Sequence, residues 1–256
     1  MRLLRFADRN DRARRRAHRS MLPIAILRFS ATDGPAYFAQ WLDARGLDWQ
    51  LFALDEGAPV PRDPRLYSGI GMMGGAMSVN DALPWVDPVC ALLRDAVDAR
   101  VPVIGHCLGG QLLARALGAR VTRAPQPEIG WIDVDVDAEP DAREWFDGNA
   151  RFTAFQWHYD AFALPRGAAR VLSNVFNANQ AYTLDGRHIG LQCHVEMTAD
   201  LVDTWCRLAA DELPAQSTPP MQSAAAIRDR LAPRIDALHA IASSIYSRWA
   251  TGLAIR

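Results

Sequence analysis

Val103-Ile104-Gly105-His106-Cys107-Leu108-Gly109-Gly110-Gln111 is the stretch whose reading decides the fold. Val101 to Gly105 is an apolar run of strand length, and a helical pattern from Gly109 to Leu117 follows at once. A cysteine sits at the turn between them. Gly105 and Gly109 permit the tight backbone reversal that lifts a nucleophile above a sheet edge. At a helix N-terminus the dipole and the free N–H groups favour thiolate over thiol. The Leu108 N–H would point to where an oxyanion forms. A buried structural thiol is the commonest fate of a cysteine, but glycines at these offsets weigh against it here. The elbow alone does not separate a cysteine hydrolase from a serine-type esterase variant.

Working outward, strands and helices alternate. Pro23 to Phe29, Trp49 to Leu54 and Tyr67 to Met73 read as strands, and Pro35 to Ala44 and Val86 to Ala99 as helices with apolar residues three and four apart. Such alternation predicts an α/β fold, a mostly parallel central sheet flanked by helices. Trp131 to Val136, Phe152 to Trp157, Ala169 to Val175, Ala181 to Leu184 and His188 to Cys193 read as further strands. Asp185-Gly186 is a hairpin turn signal, and a helix follows over roughly 199–210. Residues 213–220 read as a linker. Beyond it Ile227, Leu231, Ile235, Leu238, Ile241, Ile245 and Trp249 mark an amphipathic helix interrupted near Pro233. Its stripe must be buried on the same domain, the preferred reading, or on a partner subunit. The expected organisation is thus a basic tail over 1–20, one domain over 21–212, and a linker with a helical extension over 213–256.

With 256 residues, half of them hydrophobic, the chain can bury one sizeable core. A net charge of -1 gives no reason to expect nucleic acid or an anionic membrane as partner. No apolar run reaches the length of a membrane span. The four cysteines form no C-x-x-C pair, so neither a metal site nor a disulfide framework is expected, and a reducing, cytoplasmic setting fits. Residues 1–20 are rich in arginine but lack the apolar stretch of a secretory signal. They read as a tail, or as a start assigned too early with Met21 as the first residue.

Four segments in order carry a resemblance. Gly105-His106-Cys107-Leu108-Gly109-Gly110-Gln111-Leu112-Leu113-Ala114 resembles the nucleophile elbow of class I glutamine amidotransferases. Met73-Gly74-Gly75-Ala76-Met77-Ser78-Val79-Asn80-Asp81 looks like the family's glycine-rich oxyanion strand. Gln156-Trp157-His158-Tyr159-Asp160 looks like its W-H-x-D-type loop, and Gly190-Leu191-Gln192-Cys193-His194-Val195-Glu196 like its G-x-Q-F-H-P-E motif. The resemblance spans residues 24–205 and is nearest to stand-alone members similar to the glutaminase part of GMP synthase. It implies a flavodoxin-like fold with Cys107 as nucleophile, His194 as base and Glu196 as orienting carboxylate. Gly75 and Leu108 would supply oxyanion N–H groups, and Gln111 and His158 would shape the substrate pocket. No cofactor is implied. His194 and Glu196 stand two apart, which on a regular strand puts both side chains on one face. Cys193 and Val195 depart from the family's Phe and Pro; losing the proline would loosen the turn that sets the His194–Glu196 geometry.

The expected substrate is glutamine or another γ-glutamyl compound. The chain has no room for a synthetase domain and no G-x-x-x-x-G-K-[ST] loop, so an ammonia acceptor would be activated by a synthetase-type partner chain. A homodimer stays open. Hydrolysis of γ-glutamyl peptides or conjugates is the alternative reading. A non-catalytic binding module on the same fold is the second alternative, against which stands the retention of all three triad residue types.

Overall fold

The structure, a computed structural model, describes residues 21–253; the basic stretch 1–20 lies outside the described residues. Its centre is a nine-stranded sheet in the order β2-β1-β3-β4-β9-β8-β7-β5-β6. The strands are β1 (Ile24–Arg28), β2 (Trp49–Ala53), β3 (Gly69–Met72), β4 (Val103–His106), β5 (Val121–Val136), β6 (Arg151–Phe162), β7 (Ala169–Ser173), β8 (Ala181–Leu184) and β9 (His188–Leu191). From β2 to β9 every pairing is parallel. From β9 through β8, β7 and β5 to β6 every pairing is antiparallel.

Alternate residues of the parallel strands feed different cores. Ile24 and Ile26 join one apolar cluster, Ala25 and Leu27 the other, as expected where helices cover both faces of a sheet. Helices α1 (Ala36–Asp43) and α7 (Leu231–Ala250) supply the first cluster; α2 (Val86–Asp98) and α3 (Leu108–Ala116) supply the second. The remaining helices are α4 (Pro140–Trp145), α5 (Ala199–Leu208) and α6 (Ala224–Arg228). None of the described helices is long and apolar enough to cross a membrane.

Several local expectations shift. The strand read over Phe152 to Trp157 runs on to Phe162 as β6, so His158 to Asp160, likened to a loop by resemblance, are strand residues, with His158 paired to Glu128 of β5. β5 also begins earlier than its alternating half suggests. Pro125 and Pro127 cannot donate to a ladder, and the β5–β6 register shifts between Arg123 and Glu128, where they lie. The break in the C-terminal helical stretch falls before Pro233. Arg230 takes a left-handed conformation (φ 50°) between α6 and α7. Pro233 then sits in the first turn of α7, where the missing N–H has no intrahelical acceptor to lose. Residues 218–222 are tied to β5: the Gln222 amide bonds both the N–H (2.9 Å) and the carbonyl (2.8 Å) of Trp131.

Candidate active site

Cys107 stands between β4 and α3 with φ 47° and ψ −106°, a strained conformation for a residue with a side chain. Close packing enforces it. A Cβ on Gly109 would lie 2.6 Å from the Met72 Cβ, and one on Gly110 2.5 Å from the Leu191 carbonyl oxygen. The Cys107 N–H donates to that same Leu191 carbonyl (2.9 Å), carrying the β4–β9 contact to Cys107 itself. The thiol faces the Trp157 carbonyl at 3.9 Å and the Gln192 amide nitrogen at 3.7 Å. Burial pushes the other three thiols, Cys90, Cys193 and Cys206, up and keeps them protonated.

His194 and Glu196 are in contact, but not as strand neighbours. β9 ends at Leu191 and the chain bends through both residues. Residues two apart on a strand are separated by about 6.6 Å along its axis; the bend brings the His194 Nδ1 to 2.7 Å from a Glu196 carboxylate oxygen. Both side chains are buried. Burial works against a charged His194, yet the negative charges of Glu196 and then Cys107 outweigh it and hold the imidazole well above its ordinary range. Burial likewise works against the Glu196 carboxylate, and the positive imidazole overrides it and lowers that group. The His194 ring meets the Trp205 indole edge to face at 4.8 Å.

Cys107, His194, Gly75, Gln111 and His158 all line one cavity of about 340 Å³. Gly75 follows β3, and neither its N–H nor that of Leu108, the first residue of α3, donates a hydrogen bond among the described residues. Gln111 is buried and not on an exposed helix face; its amide donates to the Asp160 carbonyl (3.1 Å). His158 donates from Nδ1 to the same carbonyl (3.1 Å), while its buried Nε2 lies 3.4 Å from Glu128 without a hydrogen bond, so one bond holds the ring. His106, next to Cys107 in the chain, is enclosed by the Met72 carbonyl (3.0 Å) and the Tyr246 hydroxyl (3.2 Å), and burial pushes it down. Among the described residues no group of three or more His, Cys, Asp or Glu side chains is placed to hold a metal.

The sequence reading missed part of the cavity wall. Asp33 follows β1, and its position at a strand's carboxyl end was the available signal. Trp205, Leu208 and Glu212 come from α5 and the turn after it. Tyr159 donates to Glu212 (2.5 Å) beneath the Arg123 guanidinium, 4.6 Å over its ring. Burial and that hydrogen bond push the Tyr159 phenol up to about 12.

The chain is similar to several known proteins. A glutamine amidotransferase from Methylobacillus flagellatus superposes with a TM-score of 0.89 at 45% identity, over 92% of this chain and 96% of that one. A GMP synthase of Aeropyrum pernix is 38% identical over 114 residues, which are 42% of this chain and 22% of that enzyme. Gamma-glutamyl peptidase 4 of Arabidopsis thaliana is 25% identical over 171 residues, 64% of this chain and 68% of the peptidase. The model of the class-I glutamine amidotransferase family matches residues 38–204, from α1 through the elbow to α5, and the chain belongs to that family.

Proposed function

We propose that this enzyme cleaves the side-chain amide of glutamine through Cys107, His194 and Glu196. The observation that carries the reading is the buried 2.7 Å His194–Glu196 pair, whose imidazole lines the same cavity as Cys107. The Cys107 thiolate attacks the amide carbon, and the Gly75 and Leu108 N–H groups stabilise the oxyanion. The His194 imidazolium gives its proton to the departing nitrogen, which leaves as ammonia and a γ-glutamyl thioester remains. His194, now neutral, takes a proton from water, whose oxygen attacks the thioester. Glutamate leaves and the thiolate–imidazolium pair returns. Glu196 stays ionised and fixes the imidazole tautomer. Every proton in this cycle is carried by the chain's own groups. The ammonia would serve an acceptor activated by a second chain.

The test is release of ammonia and glutamate from glutamine by the purified protein, with mass spectrometry of acid-quenched enzyme for a γ-glutamyl adduct on Cys107. Cys107→Ala should abolish both while leaving the circular dichroism spectrum unchanged; undiminished release by that variant defeats the assignment. A second reading, hydrolysis of γ-glutamyl peptides, is supported by the similarity to a γ-glutamyl peptidase. Comparing kcat/KM for glutamine and a γ-glutamyl dipeptide separates the two, because discrimination between substrates is carried by that ratio.

A further inference from the structure

The stretch that carries His194 and Glu196 lies past the end of β9 and meets the sheet there through an isolated bridge between His194 and Phe155 of β6. After β9 the chain bends through residues 192–197 until Thr198 caps α5. Val195 leaves the backbone free at the middle of the bend, where a proline ring would lock φ. The conformation therefore depends on hydrogen bonds from elsewhere. The His194 N–H donates to the Phe155 carbonyl (2.9 Å), and the Glu196 carbonyl accepts from the Tyr37 N–H (2.9 Å). The third tie comes from α7, where the His239 Nε2 donates to the Met197 carbonyl at 2.8 Å.

α7 lies beyond the residues the family model matches. His239, Ser243 and Tyr246 recur on it at steps of four and three, so they share one face. The His239 ring lies flat on the Tyr37 ring, centroids 3.5 Å apart and planes within 5°. The Tyr37 hydroxyl reaches Ser243 at 2.9 Å. Tyr37 is thus gripped twice by α7 while its own N–H holds Glu196. One turn on, the Tyr246 hydroxyl meets His106, the residue before the nucleophile. Burying an apolar stripe does not require this: Leu238, Ile241, Ile245 and Trp249 already do so on the same helix. Two polar groups, His239 and Tyr246, instead reach the segments that carry Glu196 and Cys107, and Ser243 reaches Tyr37 between them.

We propose that α7 is a built-in brace for the triad and that His239 is its central positioning residue, fixing the Glu196–Met197 turn so that His194 keeps its place beside Cys107. The proposal rests on the assignment of Cys107 and His194 given above. Its test reads two quantities on the full chain: the rate of Cys107 alkylation by iodoacetamide, located by peptide mass spectrometry, and kcat with KM for glutamine. His239→Phe keeps the stack on Tyr37 and loses the donor; His239→Gln keeps a donor and loses the stack. Misplacement of a catalytic group by about 1 Å can cost about a hundredfold. His239→Phe should slow alkylation and lower kcat by about tenfold, with KM nearly unchanged, and His239→Gln should recover most of that loss. Ser243→Ala suits a helix and covers the case in which His239→Phe does not fold; it should give a smaller loss in the same sense. Wild-type alkylation in folded His239→Phe, or in Ser243→Ala where that variant does not fold, overturns the brace. Equal losses in His239→Phe and His239→Gln overturn it too, by making the position one of packing alone. Alkylation needs no turnover. A wild type that alkylates rapidly yet releases no ammonia would sink the glutaminase reading and leave the brace to be judged by its variants.

Discussion

Glu196→Gln should move the alkaline limb of thioester formation to lower pH. Burial disfavours the His194 imidazolium, and the Glu196 carboxylate at 2.7 Å is the leading influence that opposes it. The second oxygen of that carboxylate is buried and has no hydrogen-bond partner, so His194 is the group to which the charge is directed. Glutamine keeps the shape and removes the charge. Hydrogen bonds to charged groups contribute about 1.5–3 kcal/mol. At about 1.4 kcal/mol per pKa unit, the imidazole should fall by about one to two units. The substituted amide can also turn its NH₂ toward Nδ1 and favour the wrong tautomer. The assay is rapid-quench single-turnover acylation by glutamine across a pH range that brackets the free imidazole value of about 6.5 and extends well above it. The limb should drop by one to two units, and the loss at neutral pH should be smaller than for His194→Ala, because the base itself remains. An unmoved limb with a wild-type rate refutes the reasoning. So does His158→Ala proving more damaging than His194→Ala, which would transfer the base to β6.

Three further outcomes are expected. A Cβ on Gly74 would lie 2.7 Å from the His194 ring, so Gly74→Ala should cut kcat by at least about tenfold; a folded variant with wild-type kcat contradicts this placement of the ring. The His194–Glu196 pair also makes stability depend on pH. The lowered Glu196 contributes above its unfolded value and loses this as pH falls through its folded one, whereas the raised His194 contributes below its unfolded value and loses this as pH rises through its folded one. The margin of wild type over Glu196→Gln in chemical denaturation should therefore be greatest between about pH 4.5 and 6.5 and shrink on both sides, and a margin independent of pH counts against the pair. Tyr159→Phe removes the donor to Glu212 but keeps the ring under Arg123; it should raise KM for the amide substrate about threefold or more with kcat little changed, as loss of uniform binding does, and a fall in kcat alone would place Tyr159 nearer the reacting atoms.

The elbow was legible because glycines mark the places where backbone is approached closely. Gly105, Gly109 and Gly110 pack against backbone a Cβ would strike, and the apolar strand and helix on either side announce themselves by period. The β8–β9 hairpin was legible from its turn residues: Asp185 and Gly186 take φ 54° and 59°, left-handed conformations within the three-residue connection from Leu184 to His188. The first part of β5 and the last part of β6 were not. Prolines obscure the one and polar, aromatic residues the other, and only their mutual pairing makes them strands. The residue types of His194 and Glu196 stood out, but the bend that joins them did not. It is set by hydrogen bonds from Phe155, Tyr37 and His239, all far away in sequence. The outer cavity wall was hidden likewise, because Glu212 reaches the site only through the placement of α5.

The position of the cavity follows from the change of direction within the sheet. β4 and β9 are parallel neighbours, and the Cys107–Leu191 hydrogen bond keeps them together one step past the last strand residue of β4. There the two chains part. One turns into α3 and leaves its thiol at the edge; the other bends and leaves its imidazole beside it. Such a parting at carboxyl ends opens the crevice in which open α/β sheets bind ligands. β3, on the far side of β4, leads into Gly75, which lines the cavity. A fully parallel sheet would leave the other flank open. Here the antiparallel strands run on from β9, and β6 returns so that the Phe155 carbonyl holds His194 and the Trp157 carbonyl faces the thiol. The parallel half thus presents the groups proposed to react, and the antiparallel half closes the wall around them. Substitutions at Arg123, Tyr159 or Asp160 then act chiefly on which amide enters, and substitutions at the β4 and β9 ends on whether it is cleaved.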